Sequence, residues 1–434
     1  MSDHSTQKLE VRDQVFLEQL AGKVGYPALV VGLLGLIVAG VIGFLQHDHM
    51  KQFLFAYYTA YCYFLTICFG ALFFVMIHHA TRAGWSVVVR RLAEALTANF
   101  VLMAVLLIPV LFGIHQLFIW TVPHVMAHDS DLQEKAGYLN VPFFYVRCVL
   151  YFCAFLGLSF YFRTLSLRQD ASGDPQLTRR MQRTACWGFY IYGFAVTFAA
   201  FDFLMGVAPH WFSTIFGVYA FAGGNVSFFS LLALMAMWLQ RNGRLKNSIN
   251  TEHYHDIGKW MFAWTFFWGY IAFSQYMLTW YANIPVETRY YLHREFGPWL
   301  WVSLILLFGQ LLIPFAGLLS RHVKRSGVGL AFWAVWILVA HYVDMYWLIM
   351  PQEWASKKAV RTAILNIHDP YRLPGTAENL VYESFHAAGL SMNILCLIGV
   401  GGLFVASTMY MLKGRPLMPV RDPRLPESLG FENA

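Results

Sequence analysis

The stretches FAAFDFLMGVAP (198–209) and AHYVDMYWLIMP (340–351) each place one aspartate inside an apolar run, seven residues before a proline. An ionisable side chain in the middle of a bilayer costs about 2.5–3.5 kcal/mol on insertion scales, so it is retained where it has a partner or a task. Because Asp202 and Asp344 lie at the same distance from their prolines, we predict a duplicated helical unit with one buried acid in each copy.

The composition is that of a membrane protein: 58% of the 434 residues are hydrophobic, 18% are aromatic and only 13% are charged. Soluble domains carry about 25% charged residues. A membrane-spanning helix needs about 20 predominantly apolar residues, and ten stretches of the chain meet that length. We therefore expect an all-α integral membrane fold with ten transmembrane helices. The expected spans cover residues 27–45, 52–77, 94–120, 141–164, 183–208, 213–239, 259–283, 298–319, 328–350 and 386–413.

These spans divide into two blocks of four, each ending on its aspartate helix, with one span on either side. Helices joined by short loops pack as antiparallel neighbours, so we expect two four-helix bundles plus two flanking helices. The polar outer loop and the proline-rich inner tail are expected to cap or dock neighbouring subunits. The divisions are a cytoplasmic N-terminal segment (1–26), a flanking helix (27–45), the first bundle (52–208), the second bundle (213–350), a periplasmic loop (351–385), a second flanking helix (386–413) and a cytoplasmic tail (414–434).

If the N-terminus is cytoplasmic, most of the 31 Lys and Arg residues fall in segments on the cytoplasmic side of the membrane. Because basic residues accumulate in cytoplasmic loops, we expect both termini to be cytoplasmic. The same bias explains the net charge of +7 as a basic rim that faces anionic lipid, so the charge gives no reason to expect a nucleic-acid partner.

The cysteine and histidine patterns provide no ligand set for a redox centre. All six cysteines fall in apolar stretches without C-x-x-C or C-x-x-C-H spacing, and we expect them to be small core residues. A haem b site is set aside because only His115 and His341 lie deep, at different depths. His78 and His79 fall at the inner boundary, where an interfacial position is expected rather than a metal site. We therefore expect no metal or cofactor on this chain. The cysteines are Cys62, Cys68, Cys148, Cys153, Cys186 and Cys396.

Five ionisable side chains share a layer near the outer boundary of the membrane. At 1.5 Å per residue, Arg147, Asp202 and Asp344 lie about 9 Å inside that boundary. On the same scale His115 lies about 8 Å inside it and His341 about 14 Å. The inner half offers ionisable residues only at its edge. This distribution indicates an outward-facing polar pocket or half-channel.

Such a layer suits quinol chemistry, because a quinol releases two protons with its two electrons and each proton must reach a base within hydrogen-bond range. His341 and Asp344 are three residues apart on one helix face and are the main proton-transfer candidates. Ser274, Gln275 and Tyr276 join the layer from the seventh span and are candidates for a quinone pocket.

A simpler interpretation stays open for the charged residues. Arg147 could form an ion pair with Asp202 or with Asp344 that only holds helices together. Glu383 and His386 enter the layer from the outer end of the tenth span and could extend either arrangement.

Three longer motifs resemble a known family. They are TFAAFDFLMGVAPHWFSTIFGVYAFAGG (197–224), HDIGKWMFAWTFFWGYIAFSQYMLTWYANIPVETRYYLHR (255–294) and VAHYVDMYWLIMP (339–351). They closely resemble the ActF-type membrane subunit of bacterial alternative complex III, a quinol:cytochrome c oxidoreductase, within the NrfD/polysulfide-reductase membrane-anchor superfamily. The resemblance covers nearly all of the membrane region, and both aspartates and His341 lie in the matching motifs.

The resemblance implies two four-helix bundles with flanking helices, in a complex of the bacterial inner membrane. The implied partners are a homologous NrfD-like membrane subunit, a periplasmic iron–sulfur subunit, multihaem and monohaem cytochromes c, small membrane anchors and a terminal oxidase. Haem c and iron–sulfur clusters would belong to these partners, and this chain would contribute quinol-linked proton transfer and docking. In the family, the better-supported quinol pocket lies in the other large membrane subunit.

Two other functions remain open. A structural scaffold of the same complex would dock its partners and tolerate loss of every buried acid. A secondary transporter would also suit repeats and buried acids, although the spans lack the paired Gly/Pro-broken helices that build a substrate site. Copurification distinguishes them, because a transporter is isolated alone and a complex subunit brings the haem absorbance of its partners.

Overall fold

The computed structural model describes residues 13–45, 49–295, 297–355 and 390–433, which are mostly helical and contain no strand. Residues 356–389, including Glu383, His386 and most of the expected outer loop, lie outside the described part. The helices are α1 (Gln19–Leu45), α2 (His49–Ala80), α3 (Val87–Thr97), α4 (Phe100–Leu106), α5 (Ile108–Phe112), α6 (Ile114–Leu117), α7 (Pro123–His128), α8 (Ser130–Glu134), α9 (Val141–Ser172), α10 (Pro175–Phe203), α11 (Phe216–Arg241), α12 (Thr251–Ala282), α13 (Pro285–Glu295), α14 (Pro298–Ile305), α15 (Ile313–Leu319), α16 (Arg321–Arg325), α17 (Gly327–Ala355), α18 (Leu390–Leu412) and α19 (Leu425–Leu429).

Nine helical stretches of the described residues are long and apolar enough to cross a membrane. The prediction of an all-α, multi-pass membrane protein is thereby confirmed. The expected seventh span corresponds to α12, whose 32 residues are long enough but include many tryptophans and tyrosines. These side chains lower its mean hydropathy, so α12 is not among the nine. The nine are α1, α2, the run α3 to α5, α9, α10, α11, the run α14 to α15, α17 and α18.

Helices α2 and α11, which open the two expected blocks, form the centre of the molecule. In an apolar 18-residue segment of each of these helices, 83% of the residues are buried, whereas only 17% are buried in the equivalent segment of α1. The two helices approach closely because glycines face each other: a Cβ on Gly70 would lie 2.5 Å from the carbonyl oxygen of Gly224. Close contact through small residues is how helices associate where lipid removes the hydrophobic driving force. The two blocks therefore share one central interface.

The flanking helices α1 and α18 form a peripheral pair. Each packs most extensively on the other, and both also contact α2. A Cβ on Gly32 would lie 2.7 Å from the backbone nitrogen of Leu403, and one on Gly402 would lie 2.6 Å from the carbonyl oxygen of Ala28. The pair is thus held by backbone contact at glycines, which leaves the long apolar side chains of α1 on the outside.

The third span runs from Val87 to Phe112, about one heptad earlier than the expected 94–120. The start of this span carries Arg90, Arg91 and Glu94, and each of these charged residues lowers the mean hydropathy of the segment. In the fold these charges pair with each other, and the helix can therefore bury all three. The apolar helical stretch therefore begins seven residues before the expected start of this span.

The inner tail docks on its own chain. The backbone nitrogen of Leu417 donates to the carbonyl oxygen of Val15 at 2.7 Å. Asp422 forms a buried ion pair with Arg90 near the start of α3. The hydroxyl of Ser428 donates to the loop after α2 at 2.5 Å. Residues 417–428 therefore contact the segment before α1, the start of α3 and the loop after α2.

The expectation that all cysteines are core residues is wrong for two of them. Cys153 on α9 and Cys186 on α10 are exposed, whereas the other four are buried. Both lie on helix faces that carry exposed apolar side chains, so they fit the outward surface of the spans as small hydrophobic residues.

Candidate functional site

The first aspartate lies in a saturated ion pair. Arg147 on α9 donates from Nε and Nη2 to the two carboxylate oxygens of Asp202 on α10, at 2.7 and 2.9 Å. The hydroxyl of Tyr151 donates to the same carboxylate at 2.6 Å, and Arg147 Nη1 donates to the carbonyl oxygen of Tyr138 at 2.9 Å. Both charges are buried, and both carboxylate oxygens already have donors. For Asp202 this geometry favours the interpretation that the pair holds helices together.

The second aspartate has a different environment. Asp344 on α17 is fully buried, and the hydroxyl of Tyr219 on α11 donates to its Oδ1. Its Oδ2 lies 3.8 Å from Nδ1 of His341, one turn earlier on the same helix. Among the described residues no Lys or Arg forms an ion pair with Asp344, and Arg147 is paired with Asp202 instead. Asp344 is thus a buried acid beside a buried imidazole.

Hydrogen bonds on the far side of the imidazole determine its protonation. His341 Nε2 lies 2.9 Å from the hydroxyl oxygen of Thr66, and that hydroxyl donates its only hydrogen to the carbonyl oxygen of Tyr63 at 2.9 Å. We therefore assign the ring hydrogen to Nε2 as the donor to Thr66, which leaves Nδ1 of the neutral ring without a hydrogen. Nδ1 and the Asp344 carboxylate are then two acceptors that face each other. A donor is required between them, and a proton on either side chain supplies it.

Sequence reasoning missed Arg294 on α13, a fully buried guanidinium at the outer end of this site. Proline has no N–H, so Pro351 leaves the carbonyl oxygen of Trp347 without its helical partner. Arg294 Nε donates to that oxygen at 3.1 Å, and Nη2 donates to the carbonyl oxygen of Leu348 at 3.1 Å. Arg294 therefore connects α13 to the end of the Asp344 helix.

The three expected quinone-pocket residues do not line one pocket. Successive residues of a helix point about 100° apart. Ser274 donates to a carbonyl of its own helix at 2.6 Å, and Gln275 is buried towards Tyr291. The hydroxyl of Tyr276 donates to Glu295 at 3.0 Å near the surface. Gln275 and Tyr276 thus face α13, and Ser274 bonds to its own helix.

His115 lies outside the apolar helical stretch of the third expected span. The helical run turns irregular at Gly113, and His115 lies beyond the span that ends at Phe112. Its side chain is exposed, and its Nδ1 faces the Thr121 hydroxyl at 3.1 Å. His115 therefore does not join the layer of Asp344, and its proposed part in proton transfer stays a prediction without support from geometry.

A second polar cluster was missed at the inner ends of the helices. Glu94 is fully buried with Arg91 at 3.1 Å, and Arg91 also pairs with Asp170 on α9 at 2.6 Å. His79 is buried nearby under electrostatic influence of Arg90. The signal in the sequence was the spacing of Arg90, Arg91 and Glu94, because residues three and four apart meet on a helix.

A groove of about 540 Å³ opens between the flanking pair and the central helices. Its lining is apolar except for Tyr63, whose hydroxyl donates to the carbonyl oxygen of Leu338 at 3.2 Å. The Tyr63 ring lies 5.4 Å from the His341 ring and separates it from the groove. The groove therefore suits a hydrocarbon chain and offers no free donor for a quinone ring.

No protein-family profile matches this chain, and no curated protein matches its sequence. The resemblance to the ActF type consequently remains based on the three motifs quoted above.

Proposed function

We propose that the chain is a membrane subunit of a multi-subunit quinol:cytochrome c, or partnered oxidase, oxidoreductase in a bacterial inner membrane. In this proposal α12 supplies the tenth crossing, and the central helices α2 and α11 each open a four-helix bundle. Both termini are cytoplasmic, as the distribution of Lys and Arg predicts. At 1.5 Å per residue the 32 residues of α12 extend about 48 Å, which exceeds the hydrocarbon thickness.

Electron transfer in this proposal belongs to partner subunits. The partners are those that the resemblance implies: a homologous membrane subunit, a periplasmic iron–sulfur subunit, cytochromes c, small anchors and a terminal oxidase. This chain contributes docking and proton transfer, and quinol is the substrate of the whole complex. Lipid surrounds its exposed apolar faces.

The observation that carries the proposal is the contact of His341 with Asp344. A quinol that loses two electrons also releases two protons, and a base must receive each of them. The facing acceptors Nδ1 and Oδ2 take up one proton between them, and no Lys or Arg of the described residues forms an ion pair with Asp344. Tyr219 connects the carboxylate towards Tyr290 and Tyr291 at the outer end, which gives a direction for release.

A scaffold function is the second candidate, and the Arg147–Asp202 pair favours it. That pair is saturated and needs no proton exchange. If His341 and Asp344 also served only to hold helices together, the chain would be a scaffold throughout.

The test is Asp344→Asn in the purified complex, with Asp129→Asn in the loop before α8 as the matched control. We expect partner haem absorbance to copurify with both variants. Quinol-driven reduction of cytochrome should fall about 100-fold or more in Asp344→Asn, the usual size of a lost acid–base group, and stay normal in the control. Wild-type turnover from assembled Asp344→Asn would establish the scaffold instead.

A further inference from the structure

Three fully or almost fully buried polar atoms around Asp344 lack a hydrogen-bond partner. They are Nδ1 of His341, Oδ2 of Asp344 and the indole Nε1 of Trp268 on α12. The first two side chains are fully buried, and Trp268 is 3% exposed. Buried polar groups are almost always paired, either with protein or with ordered water. Three orphaned atoms in one place therefore point to a missing common partner.

The three side chains lie around one glycine of α11. Nδ1 and Oδ2 are 3.8 Å apart, and the Trp268 indole faces the Asp344 carboxylate without a hydrogen bond of normal geometry. Gly223 on α11 forms one wall. A Cβ at this glycine would lie 3.3 Å from His341 Nδ1 and 3.5 Å from Trp268 Cδ1, the carbon bonded to Nε1. The space is thus bounded by two acceptors, one donor and a residue without a side chain.

One water molecule matches this set. The indole N–H donates, whereas Nδ1 and the carboxylate oxygen accept. A water can accept one hydrogen bond and donate two, and buried waters typically make about three hydrogen bonds to otherwise unsatisfied groups. We propose that a single structural water binds between Trp268, His341 and Asp344. It accepts from Nε1 and donates to Nδ1 and to Oδ2.

This inference rests on the proposed function only for the role of the water. With the water present, the unprotonated pair is stable because the two acceptors no longer face each other directly. When a proton arrives, the carboxylate or the imidazole takes it up and the water reorients, with no bond other than O–H or N–H made or broken. The water therefore lets the site alternate between an empty and a loaded state.

The neighbouring glycines have separate tasks under this proposal. Gly224 allows contact with α2, because its Cβ would lie 2.3 Å from the carbonyl oxygen of Thr66. Gly223 instead keeps the edge of His341 accessible to the water. A methyl group at Gly223 would cover that edge, so this residue positions the ligand and takes no part in the chemistry.

The experiment is a high-resolution cryo-EM map of the purified assembly, combined with infrared spectra in H₂¹⁸O. We expect density within hydrogen-bond distance of all three atoms and an O–H band that shifts with the isotope. Trp268→Phe removes the donor while keeping an aromatic ring, and Gly223→Ala covers the edge. Both should lose the density and the band. Gly193→Ala on α10 is the matched control, because nothing lies within 4 Å of its added methyl group.

A map that shows direct contact between Nδ1 and Oδ2, with no density between them, would overturn the inference. Retention of the band in Trp268→Phe would do the same, even if Gly223→Ala failed to fold. These readouts do not depend on turnover. A water found in a complex that tolerates Asp344→Asn would support the binding site and reject the proposed function.

Discussion

Asp202→Asn should destabilise the fold. The substitution keeps the shape of the side chain but removes the charge that two guanidinium hydrogen bonds, at 2.7 and 2.9 Å, compensate. The side chains of Arg147 and Asp202 are 6% and 1% exposed, so water cannot replace the lost charge. Breaking a buried pair by removing one partner costs about 3–5 kcal/mol, because the other charge stays buried. At about 1.4 kcal/mol per factor of ten, the ratio of folded to unfolded chains falls by roughly 10²–10³ or more.

The free energy of unfolding can be measured by denaturant titration of the purified chain in detergent. Tyr151→Phe is the control, because it removes a single hydrogen bond to the same carboxylate and should cost about 0.5–1.5 kcal/mol. The double variant Arg147→Gln with Asp202→Asn should recover most of the loss, since no unpaired charge remains. A loss below about 1 kcal/mol in Asp202→Asn, or no recovery in the double variant, would refute the account of this pair as a buried, charge-balanced contact.

Two further predictions concern the outer and inner ends of the molecule. Arg294→Met should destabilise α17 by about 1–3 kcal/mol, because the buried carbonyl oxygen of Trp347 loses its donor. Pro351→Ala should reduce that loss, because it restores an N–H for the same carbonyl. An equal loss from Arg294→Met with Pro351 and with Ala at position 351 would contradict the capping role. In the first turn of α12, before the expected span 259–283 begins, burial lowers the pKa of His253 to about 4. Between pH 6.5 and 4 the unfolded chain then binds a proton that the folded chain does not. The free energy of unfolding should therefore fall by up to about 3 kcal/mol as the pH drops through this range. In His253→Gln the free energy of unfolding should not show this dependence on pH.

The sequence predicted the helical class and the local pairs, because both follow from neighbours along the chain. His341 and Asp344 are one turn apart, and the structure places Nδ1 of the first 3.8 Å from Oδ2 of the second. Thr66 and Tyr219 could not be predicted, since they reach this site from 275 and 125 residues away and depend on how α2, α11 and α17 pack. Glycine contacts set that packing, and a single sequence does not show which residue of another helix lies against each glycine.

The errors have a common physical origin. Hydropathy adds residues one at a time, so it placed Glu94 at a membrane edge although its charge is balanced by neighbouring arginines. It also extended the third span to residue 120, past Gly113 where the helical run turns irregular. His115 lies beyond that irregular point, outside the apolar helical stretch that ends at Phe112. The tryptophans and tyrosines of α12 lower its mean hydropathy, so a hydropathy threshold alone excludes this long helix.

The ion pair of Arg90 with Asp422 has a consequence for biosynthesis. The ribosome makes the acidic partner 332 residues after the arginine, which at 5–20 residues per second is a delay of roughly 17–66 s. During that time Arg90 has Glu94 on its own helix as an ion-pair partner but does not yet have Asp422. The C-terminal tail therefore cannot close over the start of α3 until translation has passed residue 422.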